Sequence, residues 1–79
     1  MKIFVLLYNP NTDNEGIHSI EIKGRTIVLM FEEKDDAERY VGLLEAQDFP
    51  TPSVEMVNLE EIKDFCNRCD YETRIVTKD

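Results

Sequence analysis

Residues 26 to 44 read TIVLMFEEKDDAERYVGLL, and within them the hydrophobic period changes from that of a strand to that of a helix. Thr26 to Phe31 is a continuous apolar run rich in β-formers. From Lys34 onward Ala37, Tyr40, Val41 and Leu44 recur at i, i+3, i+4 and i+7, with Leu43 widening the stripe, so an amphipathic helix is expected. Asp35, Asp36 and Glu38 fall in its first turn, where carboxylates favour the partial positive charge of a helix N-terminus, and Gln47-Asp48-Phe49-Pro50 ends it.

Upstream, residues 3 to 8 form a second continuous apolar run bounded by Asn9-Pro10, the pattern of a central strand covered on both faces or paired on both sides. Asn9 to Gly16 collects Asn, Pro, Thr, Asp, Glu and Gly and is a loop. Ile17, Ile20 and Ile22 alternate imperfectly with polar residues, and Lys23-Gly24-Arg25 is a turn, so residues 17 to 31 read as a β-hairpin. Downstream, Pro50-Thr51-Pro52 interrupts the chain and Ser53 to Val57 is a weaker strand. Asn58-Leu59-Glu60-Glu61 is a capping box opening a second helix with the stripe Leu59, Ile62, Phe65, Cys66 and Cys69. Tyr71 to Val76 alternates as a final strand, and Thr77 to Asp79 is a tail.

The order is βββαβαβ in a single domain over 1–79. Two helices with one apolar stripe each are expected to cover one face of a mostly antiparallel sheet of four to five strands. That is a two-layer α+β sandwich, a ferredoxin-like variant. The other face of the sheet would then be open, and its two apolar strands make it a partner surface.

The 79 residues are 42% hydrophobic, with 9 Lys plus Arg against 17 Asp plus Glu, a formal net charge of −8. A chain this short buries only about 60% of the surface it exposes when unfolded, which argues against a deep cofactor cavity, and no cofactor is expected. The acidic balance argues against nucleic acid, which needs cations to replace counterions on phosphates. The first apolar run is far shorter than the ~20 residues of a membrane span and lacks a small-residue cleavage site, so a cytoplasmic protein is expected.

Cys66-Asn67-Arg68-Cys69 matches C-x-x-C, but in the last turn of a helix, where the dipole raises a thiol pKa, whereas redox pairs sit at helix N-termini. With His18 far away in sequence, four zinc ligands are not at hand, and both thiols are expected as small buried hydrophobes. Asn11, Asp13, Glu15 and Gly16 imitate the opening of a calcium loop, but Ile22 stands where the bidentate Glu belongs. The loop reads as a polar turn closed by its own Asx side chains. His18, the only histidine, is expected as a solvated strand residue. The densest charge is the set Glu32, Glu33, Asp35, Asp36, Glu38, Glu45 and Asp48, seven acids against Lys34 and Arg39, a net of −5. It is a solvated helix face or a docking surface for a basic partner, where complementarity sets rate and specificity.

At Tyr8 through Ile17, at Phe31-Glu32-Glu33 with Asp35 through Tyr40, and at Leu43 through Pro50 with Pro52, the sequence resembles a family of small proteins of cyanobacteria and plastids, catalogued as a domain of unknown function. The match continues through Glu61-Ile62, Phe65-Cys66 and Tyr71. The resemblance brings no catalytic residue or ligand; it implies the cytoplasm of a photosynthetic bacterium or the plastid stroma, and an accessory role there.

The expected function is therefore a small acidic, non-enzymatic accessory protein that binds a larger protein complex through the acidic helix or the open sheet face. The alternative is a small-molecule or ion-binding regulatory domain, as a homodimer pairing sheets, with Asn9, Asn11, Asp13, Asn14, Glu15, Gly16 and His18 as its ligand loop. An enzyme would need His18, Asp13 and Glu15 to converge on a cleft.

Overall fold

In the computed structural model, which describes residues 1–77, the chain runs β1 (Lys2–Tyr8), β2 (Gly16–Ile17), β3 (Ser19–Ile22), β4 (Arg25–Phe31), α1 (Lys34–Ala46), β5 (Ser53–Asn58), α2 (Leu59–Arg68) and β6 (Glu72–Val76). Lys78 and Asp79 of the expected tail lie outside the described residues. The class is α+β, with six strands in one sheet.

The two apolar runs are its centre. β5 pairs antiparallel with β1 from Lys2↔Asn58 to Leu7↔Ser53, and β6 pairs parallel with β4 from Ile27↔Glu72 to Phe31↔Val76. Between these flanks β1 and β4 meet antiparallel at Phe4↔Phe31. Beyond that point they diverge, and β2 and β3 lie in the gap, β2 on β1 and β3 on β4. Each is antiparallel to its partner, while β1 and β4 are antiparallel to each other. β2 and β3 therefore run in opposite directions, and the chain reverses at His18, whose N–H donates to Leu6 O at 2.8 Å. The strand expected from 17 to 22 is thus two short strands with a fold between them.

The turn joining β3 to β4 is Lys23-Gly24, with φ of 54° and 79°, closed by the pair Ile22↔Arg25. Two positive φ values in a two-residue loop match the twist of the flanking strands, and Gly24 adopts its share without a Cβ penalty.

The expected placement of both helices on one face is overturned. Along β1, Ile3 and Val5 pack with Val28 and Met30 of β4 beneath Leu59 and Cys66 of α2. Leu6 packs with Ile27, Leu29 and Phe31 beneath Ala37 and Leu44 of α1. Because successive side chains of a strand point to opposite faces, α1 and α2 lie on opposite sides of the sheet, in three layers rather than two. Two physical reasons converge. A strand that is apolar at every position needs cover on both faces. The connections β4–α1–β5 and β5–α2–β6 also join parallel strands while travelling across the sheet in opposite directions, so two right-handed crossovers must use opposite faces. Among the described residues each face of the sheet carries a helix, so the open apolar face expected for a partner or for a pairing of sheets is not found.

α2 begins where expected: Asn58 Oδ1 accepts from the backbone N–H of Glu60 at 2.9 Å and of Glu61 at 3.3 Å. Its stripe is narrower than expected, because Leu59 and Cys66 are buried while Phe65 and Cys69 are exposed. Cys69 is the C-cap, already off the helical face, so only one of the two thiols is a core residue. Burial pushes the Cys66 thiol pKa up, with a smaller contribution from Cys69. On α1, Leu43 is 59% exposed and does not belong to the buried stripe. Among the described residues no helix is long and apolar enough to cross a membrane.

Candidate functional site

α1 lies over the centre of the sheet and leaves a groove between its outer side and the end of β6. Phe31, Tyr40, Leu43 and Val76 supply the groove's apolar surface, and its open volume is about 500 Å³. Asp36, Arg39, Tyr40 and Leu43 reach it together because they are spaced three or four residues apart on one helix. Glu33 and Asp35 complete an acidic rim at the helix start.

Within the rim, Asp36 Oδ1 accepts from Arg39 Nη1 at 3.2 Å. Arg39 is 74% exposed and Asp36 only 17%, so the cation reaches into solvent while the carboxylate sits against the protein. Asp36 Oδ2 is buried and has no hydrogen-bond partner among the described residues. Glu33 is the N-cap of α1 but makes no side-chain cap bond, which leaves its carboxylate free to face the groove. Glu32, Glu38, Glu45 and Asp48 surround α1 without lining the groove, so the structure gathers three of the seven expected acids at one place and spreads the others. Glu45 and Asp48 stand at the end of α1, whose last turn holds no basic residue to offset the helix dipole.

The ligand loop is closed on itself. Asn11 N–H donates to Glu15 Oε2 at 2.9 Å, Thr12 Oγ1 donates to Asn9 O at 2.7 Å, and Asn14 N–H donates to Thr12 Oγ1 at 3.2 Å. Asn9 and Asn11 both adopt positive φ, a conformation Asn tolerates better than most residues. Asp13 and Gly16 are exposed and stand apart from these bonds. Among the described residues no group of three or more His, Cys, Asp or Glu side chains is placed to hold a metal ion.

His18 departs most from expectation: it is half-buried, not solvated. Its Nδ1 lies 2.9 Å from the Tyr8 hydroxyl and its Nε2 3.0 Å from the Tyr40 hydroxyl. The rings of His18 and Tyr40 meet edge to face at 5.3 Å, and Tyr40 meets Phe31 at 5.6 Å. The reversal between β2 and β3 turns the imidazole toward α1, which an alternating-strand reading of residues 17 to 22 does not foresee. Burial lowers the His18 pKa and raises those of Tyr8 and Tyr40, with Tyr8 adding to the rise at Tyr40. His18, Asp13 and Glu15 do not converge: both imidazole nitrogens are engaged by tyrosines, and Glu15 is engaged by backbone. The sequence signal that was available was the coincidence of two tyrosines and a lone histidine in segments flanking the same strands.

A family model described as "Domain of unknown function (DUF3110)" matches residues 3–79. No curated protein and no solved structure matches the chain.

Proposed function

The chain belongs to this family, and we propose that it is a non-enzymatic accessory module that docks through α1 and its adjoining groove onto a basic surface of a larger protein complex. The proposed setting, on the resemblance described above, is the cytoplasm of a photosynthetic bacterium or the plastid stroma. One observation carries the reading: Glu33, Asp35 and Asp36 rim a groove whose surface is Phe31, Tyr40, Leu43 and Val76. Such a surface suits a Lys or Arg side chain, whose methylenes lie on apolar atoms while its charged head stays at a polar edge. Leu43, 59% exposed, is the groove residue that offers most apolar surface to such a side chain. Complementary charge of this kind speeds encounter and rejects wrong partners more than it adds affinity.

The test is capture from native lysate on immobilised protein at low and high salt, beside a variant carrying Glu33→Gln, Asp35→Asn and Asp36→Asn. A partner held by the native protein, lost in high salt and lost by the variant supports docking through the rim. Equal retention by the variant, or no specific partner at low salt, overturns it.

A further inference from the structure

α2 ends in a turn that holds both cysteines of the chain. Cys69 N–H donates to Phe65 O at 3.1 Å, so the helical ladder still reaches Cys69, the C-cap. The chain then reverses through Asp70 at φ 59°, where Asp70 N–H donates to Asn67 O at 3.2 Å and Tyr71 N–H to Cys66 O at 2.8 Å. The paired bonds close a Schellman turn, and its apolar clasp is Tyr71 against Phe65, edge to face at 6.3 Å. The turn leaves the two thiols in unlike surroundings. Cys66 is 1% exposed, packed against the sheet, and Cys69 is exposed to solvent.

Helical positions i and i+3 stand about 5 Å apart at Cα. A disulfide spans a Cα separation of about 4.4 to 6.8 Å, so the backbone of α2 already sets Cys66 and Cys69 within that range. The thiols are near enough that Cys69 contributes to the raised pKa of Cys66. Drawing the two Cβ atoms to the about 3.8 Å of a disulfide bends the last position of the helix and not its interior, because α2 ends at Cys69. Arg68, in the same turn, offsets the negative end of the helix dipole beside Cys69.

We propose that this turn is a thiol–disulfide exchange site for a small disulfide such as oxidised glutathione, with Cys69 as the entry thiol and Cys66 as the resolving thiol. Cys69, as the thiolate, attacks one sulfur of the glutathione disulfide; that S–S bond breaks, and one glutathione leaves and takes up the proton that Cys69 gave up. Cys66 then attacks Sγ of Cys69. The bond from Cys69 to glutathione breaks, the second glutathione leaves with the proton of Cys66, and the Cys66–Cys69 bond closes. Two electrons pass from the cysteine pair to glutathione. Burial keeps Cys66 protonated for most of the time and slows this second step. Well-oriented intramolecular reactions nevertheless reach effective molarities of about 10⁵ M or more, and Cys66 sits one turn from its target. An alkylating reagent gives Cys66 no sulfur bond to displace and stops at Cys69.

Intact-mass spectrometry with peptide mapping tests the site, on the folded chain treated with excess oxidised glutathione near neutral pH and quenched in acid. The native protein should lose both thiols, pass through an adduct of one glutathione on Cys69, and end with none bound, a Cys66–Cys69 disulfide and its helical circular dichroism retained. Cys66→Ala should stop at the Cys69 adduct, and Cys69→Ser should not react until denaturant is added. Should Cys66→Ala fail to fold, the order of species on the native chain decides alone. A native protein that stops at glutathionylated Cys69, forms Cys69–Cys69 dimers, stays unmodified, or closes the disulfide only with loss of helix or in denaturant overturns the site.

Discussion

His18 Nε2 lies 3.0 Å from the Tyr40 hydroxyl, a bond that ties the reversal between β2 and β3 to a helix 22 residues further along the chain. A part-buried side-chain hydrogen bond of this kind contributes about 1 kcal/mol net, and leaving one partner unsatisfied costs about 1 to 3 kcal/mol. Tyr40→Phe removes the hydroxyl but keeps the ring on Phe31, so urea denaturation should show a loss in that range with an unchanged m-value. Tyr8→Phe should cost a similar amount. Because both hydroxyls meet one imidazole, the double variant should depart from the sum of the singles by at least about 0.5 kcal/mol. Strict additivity would mean that the two bonds do not share the ring.

The same ring sets a pH dependence whose sign follows from burial. The folded-state pKa of His18 is lowered below its ordinary 6.5, so the folded state disfavours the charged form. The unfolded chain then binds the proton first on acidification, and stability rises with pH wherever that holds. The contribution is complete above about 6.5 and is lost as pH falls through the folded-state value. Denaturant midpoints measured across this window should fall toward acid in the native protein and stay level in His18→Gln until the carboxylates protonate. A native midpoint that rises on acidification would contradict the buried neutral ring.

The two cysteines should differ in kind. Cys66 is 1% exposed on the sheet-facing side of α2 and its thiol pKa is raised, whereas Cys69 is exposed at the helix C-cap. A thiol reagent at neutral pH should therefore modify one equivalent in the native protein and a second only after denaturant is added. Cys66→Ser places a hydroxyl in an apolar layer and should cost about 1 to 3 kcal/mol; Cys69→Ser should stay within about 0.5 kcal/mol. Two equivalents reacting at the same rate in the native state would show that α2 does not hold Cys66 against the sheet.

Most element boundaries were legible because period and punctuation agreed: the apolar runs at 3 to 8 and 26 to 31, the change to helical spacing at Lys34, and the Asn58 cap. The layer count was legible too, but one rule prevailed wrongly over another. Two amphipathic helices suggested a single covered face, while the unbroken apolar runs of β1 and β4 required two. The direction of the crossovers, set by β5 and β6 lying at opposite flanks of the sheet, decides between them, and strand order is a long-range property that local pattern does not carry. The reversal at His18 was hidden for the same reason. Ile17 and Ile20 look like one imperfect strand until β1 and β4 diverge and pull its two ends to different partners. Of the acidic set, sequence located the helix that carries it; only the packing of Val76 beside Tyr40 could single out Glu33, Asp35 and Asp36 as a rim.

The turn between β3 and β4 tests backbone conformation apart from packing. Gly24 has a φ of 79°, and a Cβ built there meets nothing within 4 Å, so Gly24→Ala adds strain without a steric clash. An L-residue forced into the left-handed region costs about 1 to 2 kcal/mol, and the substitution should destabilise by that amount. Lys23, at φ 54°, already bears such a cost, and Lys23→Asn should relieve part of it, gaining a few tenths to about 1 kcal/mol, because Asn-Gly is the preferred pair for this loop. Opposite signs at adjacent exposed positions are what the two φ values require. If Gly24→Ala proves neutral in thermal denaturation, the Lys23-Gly24 turn adopts another form, and with it the register that sets Ser19 opposite Val28 and places the chain reversal at His18.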